Sequence, residues 1–156
     1  MIWRTMTLIL VGGLSGAAGL WISDRDPPTV SAAKPEVLTP VAQPGGYVRI
    51  KYSLLRRRSC GVKTERLLFD ADNVRYPLED LSFQAAPASL GPDSYVSQVL
   101  LPRTFAQGPG RYRTISTYTC NLIHKWFWPI AGQPVEVEFK VWGEPVPLDL
   151  PIKITP

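Results

Sequence analysis

The stretch PVEVEFKVW, residues 134–142, decides the fold class. Val135, Val137, Phe139 and Val141 alternate with Glu136, Glu138 and Lys140. A period of two puts every apolar side chain on one face and every charge on the other, which is the pattern of a half-buried strand. Read back toward the N-terminus, RYRTISTYTC (111–120) alternates in the same way, with Tyr112, Thr114, Ser116, Tyr118 and Cys120 on one face. YVRIKYSL (47–54) sets Val48, Ile50, Tyr52 and Leu54 against Tyr47, Arg49, Lys51 and Ser53. Three shorter apolar runs, ERLLFD (65–70), LSFQAA (81–86) and YVSQVLLP (95–102), fill the intervals. PLDLPIKI (147–154) adds a last strand, confined to an edge because Pro147 and Pro151 lack an amide proton.

Six or seven short strands separated by Gly/Pro turns predict an all-β domain over residues 46–156, an antiparallel sandwich. The 16 prolines and 12 glycines among 156 residues oppose a helical domain, because both residues break helices. GPGRYRTISTYTC (108–120) resembles the penultimate strand of immunoglobulin-like domains. Gly110-Arg111-Tyr112 matches the Pro-Gly-x-Tyr entry of that strand, and Tyr118-Thr119-Cys120 matches its Tyr-x-Cys. The resemblance implies a corner-packed Tyr112 and a core Cys120 in an immunoglobulin-like sandwich. It covers residues 46–142 and departs in one respect: no tryptophan lies between Cys60 and Cys120. The arrangement RRRSCG, RLLFD, PGRYRTISTYTCN and WPI is also similar to small membrane-anchored proteins of bacteria and their phages. That likeness bears on location rather than activity.

Residues 1–22, MIWRTMTLILVGGLSGAAGLWI, carry Arg4 as their only charge. As a helix, the 21 residues from Ile2 to Ile22 would measure about 31 Å, close to a hydrocarbon core. The expectation is one N-terminal transmembrane helix, with the N-terminus cytoplasmic and the domain extracytoplasmic. A signal peptide cleaved to release a secreted domain is the alternative. Gly12/Gly16 and Ser15/Gly19 offer small-xxx-small spacings through which such a helix could form a homo-oligomer. Residues 23–45 hold prolines 27, 28, 35, 40 and 44 and read as an extended spacer.

The formal charge of +4 lies in residues 46–156, which hold 14 Lys/Arg against 10 Asp/Glu. That excess is too small for a dedicated nucleic-acid protein, so no nucleic acid is expected as partner. Cys60 and Cys120 are the only cysteines, and in an exported domain they are expected to pair. His124 is the only histidine and reads as a surface or loop residue. One histidine and two cysteines without ligand spacing predict no metal site and no cofactor. Asp70-Ala71-Asp72-Asn73 reads as a turn, since it lacks the later glycine and glutamate of a calcium loop. Arg49 and Lys51 are expected to face Glu136 and Glu138 as cross-strand pairs.

Two groups remain as binding candidates. Arg56, Arg57 and Arg58 lie in a stretch from Tyr47 to Arg66 with seven Lys/Arg and one Glu. Trp126, Phe127 and Trp128 cannot all face inward on one strand, so at least one is expected at the surface. No catalytic triad, phosphate loop or metalloprotease motif is present in the sequence. The expected function is therefore not enzymatic. It is a membrane-anchored, extracytoplasmic binding or assembly module that contacts a protein or envelope polymer through these two groups, with residues 1–22 in the membrane. A phage-type envelope protein acting on membrane or cell wall, and a hydrolase with an unrecognised site, are the alternatives.

Overall fold

The computed structural model describes residues 2–23, 25–84 and 90–147. It is a mainly β structure of two sheets. A first helix, α1 (Ile2–Ser23), is followed by three short strands, β1 (Thr29–Ser31), β2 (Glu36–Val37) and β3 (Val41–Ala42). The long strands are β4 (Tyr47–Arg56), β5 (Gly61–Phe69), β6 (Arg75–Phe83), β7 (Gly91–Leu100) and β8 (Gly108–Thr119). A short helix, α2 (Leu122–Trp126), leads to β9 (Ile130–Ala131) and β10 (Val135–Val141).

In the first sheet β4 pairs with β7 along its whole length and with β1 and β2 on its other edge, all antiparallel. The second sheet runs β3-β10-β8-β5-β6, with β9 continuing the β10 edge of β8. One pair in it, β3 with β10, is parallel rather than antiparallel as expected. The Pro-rich stretch 23–45, expected as a spacer, thus supplies three strands to the two sheets. Its prolines are compatible with this because they sit between the strands and lend carbonyls: Pro40 O accepts from Lys140 N at 2.9 Å, and buried Pro28 accepts from Arg57 N at 2.8 Å.

The alternation read from the sequence sets the core. Val48, Ile50 and Tyr52 of β4 are buried, as are Val137, Phe139 and Val141 of β10. They meet Leu68, Val99, Leu101, Phe105 and Tyr112. Gly110 is needed where it stands, since a Cβ there would lie 2.7 Å from the Phe139 ring. Asp70 closes the β5–β6 turn: its carboxylate accepts from the amides of Asp72 and Val74 at 3.0 and 2.8 Å and from the Tyr76 hydroxyl at 3.1 Å. Burial alone would raise its pKa, but these bonds prevail and lower it. Asn73 takes the positive φ of the turn.

Several expectations are corrected. Among the described residues no helix is long and apolar enough to cross a membrane. The single-pass topology with a cytoplasmic N-terminus and an extracytoplasmic domain is therefore withdrawn. The physical reason is composition: Arg4, Thr5 and Thr7 occupy the first turns of α1, and Gly12, Gly13, Ser15, Gly16 and Gly19 contribute little apolar surface. Arg49 and Lys51 do not face Glu136 and Glu138, because β4 and β10 belong to different sheets. Glu136 of β10 instead pairs with Arg111, at 3.5 Å. Residues 85 and 86, and residues 148–154 of the expected last strand, lie outside the described residues.

Candidate functional site

Cys60 and Cys120 form a disulfide. Cys60 precedes β5 and Cys120 follows β8, and Gly61 pairs with Thr119 beside them. The bond therefore staples two neighbouring strands at one end of the same sheet. It also fixes the base from which α2 springs.

At that base Asn121 caps the helix, its side-chain oxygen accepting from His124 N at 2.9 Å. The turn directs His124 inward, where it is 2 % exposed. This corrects the expected surface histidine: a single helical turn, not a loop, follows Cys120, and its third residue faces the sheet. Burial lowers the His124 pKa, and the nearby Arg58 charge lowers it further. The next residues consequently face outward. Trp126 is 72 %, Phe127 69 % and Trp128 56 % exposed. The Phe127 and Trp128 ring centroids are 5.7 Å apart. With Leu122, also exposed, they form an apolar ridge at the disulfide end of the domain.

The three arginines do not act as one patch. Arg56 Nε donates to Asp93 Oδ2 at 2.9 Å, and its side chain is only 11 % exposed, so it ties β4 to β7. Arg58 donates to the Asp26 carbonyl at 2.5 Å. Arg57 is exposed. Arg58 thus approaches α2 from below, while Arg56 faces the space between the sheets.

That space is a cleft the sequence reading missed. Stacked sheets lie about 10 Å apart, and side chains from both must span the gap. In the closed half, Ile50, Leu68, Val99 and Phe139 do so. In the other half the inward positions of β5 and β8 include Thr64, Thr114 and Ser116, which are too short to fill the gap. Thr64 and Ser116 instead bond to each other, Oγ1 to Oγ at 2.9 Å. The result is an open cavity of about 790 Å³. Tyr52, Tyr95, Tyr112 and Tyr118 line it, and Tyr52 stacks on Tyr95 with centroids 5.2 Å apart. Burial raises the pKa of all four phenols, so they are hydroxyl donors throughout the physiological range. The Tyr52 hydroxyl is buried with no well-formed hydrogen bond, Thr114 being its polar neighbour. The signal that could have revealed the cleft was present: Thr114 and Ser116 on the same face as Tyr112 are small polar residues at core positions.

Among the described residues no three His, Cys, Asp or Glu side chains gather where they could hold a metal ion.

No family model and no curated protein matches the chain. Among solved structures it is similar to the Pseudomonas fluorescens alkylpurine DNA glycosylase AlkC bound to DNA containing an abasic site analog. That match has 11 % identity and a TM-score of 0.39, over 70 % of this chain and 30 % of that one. It is also similar to the sporulation control protein Spo0M from Bacillus subtilis, at 10 % identity and a TM-score of 0.29, over 74 % of this chain and 50 % of that one. The chain spans half or less of each neighbour's length, and at these scores neither likeness carries an argument about fold or function.

Proposed function

We propose that the protein is a non-catalytic binding module built on an immunoglobulin-like sandwich, and that it grips a protein partner through Trp126, Phe127 and Trp128. The sandwich reading is supported by the buried Tyr112 at the Pro-Gly-x-Tyr entry, with the disulfide moved from between the sheets to within one. The observation that carries the function is the exposure of three consecutive large aromatic rings on a capped, disulfide-based turn. Rigid rings bury large areas at low entropic cost, which is why Trp and Tyr dominate binding hot spots. Lys125 on α2 adds positive charge, so the partner is expected to present an apolar groove with an acidic rim.

The test is photo-crosslinking. Benzoyl-phenylalanine at position 127 should capture a defined protein in cells, identified by mass spectrometry and then purified. Its affinity for the wild-type chain should fall about 30-fold or more in the W126A/F127A/W128A variant. The melting temperature of that variant should be unchanged. Unchanged affinity, or loss of the fold in the triple variant, would assign the rings to packing and overturn the reading.

A further inference from the structure

The cleft between the sheets is separate from the aromatic ridge and is left without a task by the function proposed above. Its volume of about 790 Å³ falls within the range of about 300–1,000 Å³ typical of small-molecule sites. Its walls combine two kinds of chemistry. Aromatic and aliphatic surface comes from the tyrosines together with Leu54, Val62, Phe83 and Val135. Charge comes from Arg56, Arg57, Arg58 and Arg66, of which Arg56 pairs with Asp93, the one carboxylate of the lining, while Arg58 and Arg66 keep their full charge beside the carbonyls of Asp26 and Glu79 to which they donate.

We propose that this cleft binds an aromatic anion, a ring system bearing a carboxylate, sulfonate or phosphate. Two observations converge on that class. The stacked Tyr52 and Tyr95 rings and the flanking Tyr118 form flat walls suited to a planar guest. The excess of arginine attracts one negative group, and the guanidinium fork binds such oxyanions in two-point geometry.

A matched pair of probes tests the proposal on the full chain. 8-Anilinonaphthalene-1-sulfonate carries the anion, and N-phenyl-1-naphthylamine is the same ring system without it. The sulfonate should bind the folded protein with one-to-one stoichiometry, and the neutral probe about ten-fold more weakly. R57Q/R58Q should bring the sulfonate down to the neutral probe's affinity. T64V/S116L removes both members of the internal hydroxyl pair and fills the gap, so it should abolish binding of both probes. Near-UV circular dichroism of each variant reports whether the fold is intact. If T64V/S116L does not fold, the probe comparison and R57Q/R58Q decide by themselves.

Equal affinity for the two probes would overturn the proposal. So would sulfonate binding that survives in folded T64V/S116L, or that is lost in W126A/F127A/W128A instead. The last result would place the probe on the ridge. Failure of the ridge to capture a protein, by contrast, leaves the cleft result untouched.

Discussion

His124 is buried beneath α2 with its proton affinity lowered, first by burial and then by the Arg58 charge. The consequence is a pH dependence with a definite sign. The folded state holds the imidazole neutral to lower pH than the unfolded chain, whose histidine titrates near pH ~6.5. Stability is therefore full above that value and falls as the pH drops from there through the folded pKa, by up to about 1.4 kcal/mol per pH unit. Urea unfolding at a series of pH values between neutral and moderately acid should show this loss in wild type. H124F should lack that component of the slope. Equal slopes in the two proteins would mean that His124 is protonated within the fold. The sequence marked His124 as solitary but not as buried. Strand parity could not place it, since the helical turn that begins at Asn121 breaks the alternation after Cys120.

At the scale of elements, the disulfide and α2 act together. Cys60 and Cys120 are 60 residues apart in sequence, and a loop of that length gives an entropic stabilisation of about 4 kcal/mol. The C60A/C120A variant should lose up to that amount in chemical unfolding, read from the denaturant midpoint. Because the bond lies at the foot of α2, exchange of the α2 amides with deuterium should accelerate more than exchange in β10, which is remote from it. Uniform acceleration would mean that α2 does not depend on the staple. Pairing of the two cysteines was legible from their number, whereas the inward strand position expected for Cys120 is not what forms: β8 ends at Thr119 and Cys120 follows it half-buried. Which strands they join was not legible. The resemblance to immunoglobulin domains implied a core Cys120 but no partner strand; β5 and β8 are neighbours in one sheet.

At the scale of the whole molecule, the strands and α1 stand apart. Among the described residues α1 shares no substantial contact with any strand, and side chains such as Leu8, Ile9 and Leu10 are largely exposed. Removing residues 1–23 should therefore leave the melting temperature of the remainder unchanged, as measured by calorimetry. A drop of several degrees would reveal packing of α1 on the sheets. The β body is held instead by the closed half of its core, where large inward residues from both sheets meet.

What the sequence by itself determined is local. A period of two over residues 47–54, 111–120 and 134–142 specifies strands and their buried faces, because side chains alternate across a pleated backbone. Turn chemistry at Asp70 to Asn73 likewise needs only short-range hydrogen bonds. The tertiary structure alone decided which strands share a sheet, and so which charges pair, because strand order depends on contacts distant in sequence. It alone decided that residues 29–42 would pair with the sheets, since two- and three-residue strands have no readable period. It alone turned the small polar residues Thr114 and Ser116, legible on the face of Tyr112, into a cleft, because a gap between sheets depends on what stands opposite on the other sheet.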